Sequence, residues 1–553
     1  MKNSITILLL FILFQFSANA TVYYVSNTGN DSNLGTTINQ AWLTINKVNS
    51  ITFSPGDEIL FNRGDTWNER LIIGDSGTDT QRIYYGAFGT GTKPTIDVQN
   101  NETSVIVSYH SYITIENLIL KNSTNNALGF AVTGGCYGIT VIGVEIFNAG
   151  NNALSISKGG SDILIQDVSV YNASNNGIYL NGSPANHLSN VIVENCYVSG
   201  TGANDGIVVH EDGNGGTAGS NFIIRNNYAE LCAEQGFDIT TGSNIHLYNN
   251  ISKNNVQGGI LIGHSANNIT VERHTSIDEP TTNTSAAINI GGTVPNVVVK
   301  YSVIKGNGYH LLRVTGSNVE IYNNVFVYNG GGAIIDFGND LENLTFKNNI
   351  VTTLMDGMGR IRFLGANRPA NHPSFDFNNN IYYAPNGVTI YNASTTSNYT
   401  FSNFQTTFSQ GANSLETDPL FIDRVNEDFH LTQNSPAIDA GIDLGLNQDF
   451  DGSVVPFGVN YDIGAFEYFD TAATSAQAFE QIHSIYPNPA TKRLHLKSNI
   501  AIEKVWVIDV LGRKMNTKVI DSSIDVSHLN NGIYFLVFNN NNELIKNKFI
   551  VSH

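Results

Sequence analysis

His210 and Glu211 stand side by side where an alternating apolar run, Gly206-Ile207-Val208-Val209, gives way to the glycine-rich stretch DGNGGTAG. Asp238 lies between Phe237 and Ile239 in QGFDIT, with Glu234 four residues before it. Glycosidic hydrolysis needs one protonated carboxyl beside the leaving oxygen and a second carboxylate as base or nucleophile, and Glu211 and Asp238 could supply them. Lysis or epimerisation of a uronate needs a base for the C5 proton and a cation or neutral acid to stabilise the substrate carboxylate. His210 with Tyr179 suits the proton transfer, and Lys158 or Arg313 the charge stabilisation. A groove that binds glycan without reaction would use the same residues and tolerate loss of Glu211.

These side chains must be brought together by repetition. From about Ser111 the chain repeats with a period of roughly 22 to 31 residues, the range of solenoids. One landmark is SNVIVEN, SNFIIRN, SNIHLYN, NNITVER, PNVVVKY and SNVEIYN; a second is NNALGF, NNALSI, NNGIYL, NDGIVV, EQGFDI and GGILIG. Both alternate with period two, so each unit holds at least two short strands and must stack on its neighbours to bury their apolar faces. Recurrent Asn126, Asn152 and Asn176 predict amide ladders at a turn, and Asp205 falls in that column.

Alignment of the second strand of each unit predicts lines of side chains about 4.8 Å apart. The third position reads Gly129, Ser155, Tyr179, Val208, Asp238, Leu261, Asn289, Arg313. The fifth reads Ala131, Ser157, Asn181, His210, Thr240, Gly263, Gly291, Thr315, and the sixth adds Lys158, Glu211, Thr241 and His264. Ionisable residues are thereby expected on one face. Glu211 is the expected acid, Asp238 the expected base and His210 their partner. Lys158, Tyr179, Glu234, His264, Asn289 and Arg313 are expected to contact substrate, with Arg360 and Arg362 farther along. The loops DGNGGTAG and NGSPANHL are expected to wall the groove.

Composition sets bounds on the partner. The 553 residues carry a net charge of -19 with 14% charged residues, which excludes a nucleic-acid binder because a phosphate backbone needs a basic surface. An anionic polysaccharide stays compatible, since local Arg and Lys can reverse the sign in a groove. Cys136, Cys196 and Cys232 are odd in number and differ in their place in the repeat, so neither a disulfide nor a metal is assigned to them. Lys2, the apolar ITILLLFILF and Ala18-Asn19-Ala20 read as an export signal over residues 1–20, and no later stretch is long enough to span a bilayer. A monomer without a cofactor is expected.

The repeat resembles right-handed parallel β-helix proteins of the pectin-lyase-like fold, over about residues 21–383. YYVSNTGNDSNLG, Trp42 and GDEILFNRGDTW resemble the N-terminal cap of secreted members; DPLFIDRVNEDFHLTQNSPAIDAGID and DFDGSVVPFGVNYDIGAFEY resemble their C-terminal extension. In the extension Asp449 and Asp451 could hold a structural calcium ion, but a lone D-x-D-G is a weak signal and turn chemistry is the preferred reading. YPNP, D-x-x-G-R and L-x-x-G-x-Y in the last seventy residues resemble the type A sorting domain of the type IX secretion system of Bacteroidota, a small β-sandwich. The resemblances imply an all-β chain: signal 1–20, β-helix with cap and extension 21–470, linker 471–483 and sorting domain 484–553. They imply export by the type IX machinery and release or retention at the cell surface.

VVHE is similar to the catalytic His-Glu of alginate C5-epimerases. Those enzymes carry an Asp two residues before the His, where this chain has Val208, and another in the next coil at the place of Thr240. The architecture resembles that of enzymes attacking sulfated or uronic algal polysaccharides, endo-1,3-fucanases among them. The expectation is therefore a secreted polysaccharide-degrading enzyme, leaning to an endo-acting glycoside hydrolase, with a lyase or C5-epimerase and a non-catalytic glycan binder as alternatives.

Overall fold

Each repeat carries three short strands with alternating burial, so no single coil can cover its own apolar side chains and every coil needs a neighbour. The computed structural model describes residues 20–469 apart from 184, 212–218, 283, 293–295, 331–333, 339–340, 354–359, 364–373 and 393–396. Of the C-terminal part it describes 482–551 apart from 487–489, 499–504, 510–514, 516, 521–522, 530–531 and 541–542. The expected export signal (but for Ala20), most of the linker and most of the loop after Glu211 lie outside these residues.

Among the described residues three long sheets run side by side along the chain, with 15, 14 and 14 strands. The first sheet extends from Val22–Val25 to Phe375–Asp376, the second from Leu71–Ile73 to Ser397–Thr400, and the third from Thr66–Trp67 to Leu415–Glu416. Neighbours in the stack are parallel and about one repeat apart, which is a parallel β-helix; the exception is the last pair of the second sheet, where Ser397–Thr400 runs antiparallel to Thr389–Asn392. Inward residues form continuous apolar lines: Ile163 faces Val191, Val191 faces Phe222, and Phe222 faces Ile245. Each of these is at most 2% exposed, and burial of each contributes about 1.5 to 3 kcal/mol. Cys136, Cys196 and Cys232 are buried free thiols among them.

Asparagine makes the corners. Asn122, Asn148 and Asn172 adopt left-handed φ of 59°, 56° and 60°, a region that asparagine enters more readily than other side-chain-bearing residues. The predicted inward ladder is present: Asn152 N donates to Asn126 Oδ1 at 3.2 Å, and Asn176 Nδ2 donates to Asn152 Oδ1 at 2.9 Å. A second buried ladder joins Asn324, Asn349 and Asn380 at 3.0 and 3.2 Å. The cap is anchored by Trp42, which stacks on Tyr23 at 4.9 Å and donates its indole N–H to Asn33 O.

The extension packs Phe421, Phe429, Leu431 and Ile463 against Val303, Val325 and Ile350. Asn323 and Asn348 reach out from the coils to the carbonyls of Asp462, Gly464 and Ile442. Asp449 accepts from the backbone N–H groups of Ser453 and Glu467, one on each oxygen. Asp451 Oδ2 lies 2.7 Å from His430 Nε2. Both carboxylates are thus engaged in turn and ion-pair geometry.

The chain divides into two compact units, residues 1–468 and 469–553. The second holds a four-stranded and a three-stranded antiparallel sheet around Leu494, Val507, Ile524, Leu536 and Phe549, which is a β-sandwich. Ending the chain at Tyr468 is expected to leave a folded protein with unchanged activity and to abolish export in the native host. A truncated protein that melts like the parent but has lost its activity would place the boundary elsewhere.

His430 gives the extension a pH signature. Its ring bridges Asp451 and Asp428, at 2.7 and 2.5 Å, and packs 4.3 Å from Phe466. Asp451 first and Asp428 second raise its pKa to about 9 against the opposing effect of burial. A raised folded pKa stabilises fully below the unfolded value of 6.5 and loses that contribution as pH climbs through 9. His430→Ala should therefore lower Tm near pH 6 and converge with wild type near pH 10.5; equal depression of Tm at both would refute the ion-pair account.

Candidate active site

The second sheet carries the line of side chains expected from the repeat. Tyr179 faces Val208, Val208 faces Asp238, Asp238 faces Leu261, Leu261 faces Asn289, and Asn289 faces Arg313. The line continues one coil further, to Asp336 opposite Arg313, a residue the sequence alignment stopped short of.

His210 stands opposite Asn181 on the strand Ile207–Glu211, half-buried. Its Nδ1 lies 3.1 Å from Thr240 Oγ1, and that hydroxyl donates to Val209 O at 3.2 Å. With its proton committed to Val209, Thr240 accepts from His210 Nδ1–H. The neutral ring therefore keeps its Nε2 lone pair for a reactant. Tyr179 stacks on the imidazole, ring centroids 6.1 Å apart. Thr240, which counts as a departure from the epimerase pattern in sequence, is the residue that orients His210.

Asp238 projects outward between fully buried Phe237 and Ile239 and is itself half-buried. Above and below it in the line stand Val208 and Leu261, which offer no hydrogen bond. Its Oδ1 is covered and has no hydrogen-bond partner among the described residues. Burial first, then the nearby carboxyls of Asp205 and Glu234, push its pKa well above the ordinary carboxylate value. The Asp238 proton is consequently held more tightly than that of an exposed aspartate. That differs from the base expected from sequence, because periodicity reveals that a side chain points outward but not how deeply its carboxyl is seated.

Glu234 is held by Gln257, whose Nε2 donates to its Oε1 at 3.0 Å. Its effect on the line is the negative charge it brings near Asp238. Glu211 ends the strand opposite Gly182; its side chain, and those of Arg360 and Arg362, lie outside the described residues. Asn289 is half-buried in the line, with an unpartnered Oδ1 among the described residues. Lys158 and His264 are exposed and sit just beyond their strands in left-handed turn positions, at φ of 77° and 50°. They border the strand line rather than belong to it.

Arg313 differs from the free anion-binding cation expected. Its Nε lies 3.5 Å from Asp336 Oδ2, and Asp336 is 2% exposed with His310 Nε2 at 3.8 Å. The guanidinium charge is matched inside the protein by a buried carboxylate. Nor do charges gather on one face alone. On the first sheet Arg225 pairs with Glu194 at 2.5 Å, Lys300 with Glu272 at 3.2 Å and Lys347 with Asp376 at 2.5 Å. Those charges satisfy one another, whereas Asp238 faces no cation in its own line until Arg313. An open cleft of about 540 Å³ lies on the first sheet by Asn296, Asn318 and Glu320, apart from the Asp238 line.

Residues 188–276, which include His210 and Asp238, match the family described as Right handed beta helix region. Residues 484–552 match the Secretion system C-terminal sorting domain, which marks the chain for type IX export to the outside of the cell or its surface. Among the described residues no helix is long and apolar enough to cross a membrane. A stretch of 135 residues is 30% identical to a lacto-N-biosidase of Bifidobacterium longum subsp. longum, covering 19% of this chain and 8% of that protein. Two solved structures of similar fold are a GH136 lacto-N-biosidase from Eubacterium ramulus and an alginate lyase from Paenibacillus sp. The first is 19% identical at TM-score 0.42, over 60% of this chain and 64% of that one. The second is 16% identical at TM-score 0.40, over 52% and 95%. The strand pairing and the two family matches establish a parallel β-helix with a type IX sorting domain.

Removing Asp336 should expose the Arg313 charge. Asp336→Asn is expected to tighten binding of a polyanionic glycan at low salt, with the gain vanishing as salt is raised. Unchanged affinity at low salt would mean that Arg313 does not face the ligand.

Proposed function

We propose that the protein is a secreted polysaccharide-cleaving enzyme, a glycoside hydrolase in which Asp238 is the proton donor. The observation that carries this reading is the outward, half-buried Asp238 carboxyl, with one oxygen unpartnered and two carboxyls keeping its proton in place. In the reaction the glycosidic C–O bond breaks and the Asp238 proton goes to the leaving oxygen. Glu211, one coil away, then serves as the base that activates water or as the nucleophile. The division of labour is the reverse of that expected from sequence. His210, held by Thr240, offers Nε2 to a sugar hydroxyl, and Tyr179 extends the apolar surface beside it.

The substrate is an anionic polysaccharide of the sulfated or uronic kind, fucan included, met outside the cell. With Arg313 neutralised by Asp336, recognition of its anions falls first to Lys158 and His264. A lyase is the second reading, favoured by the oriented His210 with its free lone pair and by the adjoining Tyr179, the pair that C5 proton removal requires.

Mass spectrometry of products from sulfated and uronic polysaccharides separates the two, since a hydrolase adds water and a lyase leaves a 4,5-unsaturated end. Asp238→Asn and Glu211→Gln should each lower kcat by about 10² to 10⁴ with unchanged Tm. Near-wild-type kcat in both, together with an inactive His210→Ala, would replace the hydrolase by the lyase.

A further inference from the structure

From Asn221 to Asn343, asparagines recur at one left-handed corner of the first sheet, with φ between 53° and 65°. Their exposed amides run in one direction, each Nδ2 donating to the Oδ1 of the coil before. Asn244 donates to Asn221 at 3.5 Å, Asn268 to Asn244 at 2.6 Å, and Asn343 to Asn318 at 2.7 Å. The links on either side of Asn296 are missing. Among the described residues its amide bonds neither to Asn268 nor to Asn318, although strand register sets all three in one column. Its φ of 59° matches the others, so the gap arises in the side chain and not in the corner. Asn268 Oδ1 is left as an acceptor, Asn318 Nδ2 as a donor, and Asn296 as both.

This gap opens onto the cleft of about 540 Å³ on the first sheet, a volume in the range of ligand sites. Consecutive coils line it through Asn268, Asn296, Asn318 and Asn343. At about 4.8 Å per coil these amides span about 14 Å. Glu320 lies between Val298 and Thr345 in the adjoining line of outward residues, and all three line the same cleft. Its carboxylate is exposed and has no ion pair or hydrogen bond among the described residues. Glu194 and Glu272 on the same sheet are paired, with Arg225 and Lys300. No described residue lining the cleft is a cation.

We propose that this cleft is a second glycan site, which binds a neutral sugar chain laid along the coils. A sugar hydroxyl both donates and accepts, so neighbouring hydroxyls can donate to Glu320 or Asn268 Oδ1 and accept from Asn318 Nδ2. A sulfated or uronic chain would meet the Glu320 charge with no cation to offset it. A calcium ion fits poorly, because it takes several oxygen ligands and the cleft offers one carboxylate. The site needs no reaction at Asp238 and serves a hydrolase or a lyase alike. Holding a neutral stretch of a mixed polysaccharide on one sheet raises the local concentration of chain at the other.

Native gel electrophoresis of the full chain tests the proposal, with a β-1,3-glucan, a xylan, a galactomannan or amylose in the gel and alginate as the anionic counterpart. Retardation by at least one neutral polysaccharide is expected. Asn296→Ala combined with Glu320→Ala should weaken it by about tenfold in Kd, the loss of two or more hydrogen bonds. Both residues are exposed, so Tm should stay that of wild type. Tyr179→Ala, on the second sheet, should be retarded like wild type. Free migration in every neutral gel overturns the proposal, as does a double variant retarded as strongly as wild type. Retardation by alginate alone overturns the neutral class of ligand. Loss of retardation in Tyr179→Ala but not in the double variant puts the chain on the second sheet and overturns the site. None of these results bears on Asp238, which is tested by its own variant and by the products.

Discussion

A coil of a parallel solenoid cannot satisfy its own backbone. Its N–H and C=O groups point along the stack, and the hydrogen bonds they need exist only with the coil before and the coil after. Everything else here follows from that dependence. Because strands pair in fixed register, Ile207 must stand on Ile178 and Phe237 on Ile207, and any residue type that recurs in the repeat becomes a straight line through the protein. Apolar lines make the core. Asparagine lines tie the turns together, with the amide of one coil accepting from the next.

The same enforced alignment makes charge expensive. Identical ions in one column would sit about 4.8 Å apart, so a stacked sheet needs alternation or pairing. The first sheet pairs: Glu194 with Arg225, Glu272 with Lys300, Lys347 with Asp376. The far end of the second sheet does likewise with Arg313 and Asp336. Around Asp238 the rule is broken. Its flanking positions are Val208 and Leu261, and the charged groups close to it are Asp205 and Glu234, of its own sign. A carboxyl in such a place has a raised pKa, and the backbone register that fixes the fold also fixes this local violation of charge pairing. Local rules tend to fail where a protein acts.

What sequence could reveal follows from the same geometry. Period-two alternation and the recurrent asparagines specify strands, turns and register, which is why the line from Tyr179 to Arg313 could be read in advance. Depth is not written in the period. Asp238 is outward, as alternation requires, yet its Oδ1 is covered, and burial raises its pKa. Thr240 looks like a missing acid by analogy, whereas its value lies in a hydroxyl placed between Val209 O and His210. Asp336 was missed because AIIDFG follows a glycine run that disguises its place in the repeat. Lys158 and His264 share a column in the alignment, but the strand ends before either. Counting positions cannot show where a strand turns.

Two complementary groups then sit on adjacent coils. Burial and like charge raise the Asp238 pKa, and the Thr240 hydroxyl faces His210 Nδ1, which leaves Nε2 open. Neither condition depends on the loop that follows Glu211; both are held by backbone-paired strands, the most rigid support that a solenoid offers. A carboxyl of raised pKa and an imidazole with an open nitrogen, fixed to one sheet face in consecutive coils, would suit a polymer lying across several coils with its reacting bond over one of them. The chemistry separates on which of them moves first. If the carboxyl gives its proton to the glycosidic oxygen, water completes the cleavage. If the imidazole takes a proton from carbon, the sugar ring itself becomes unsaturated.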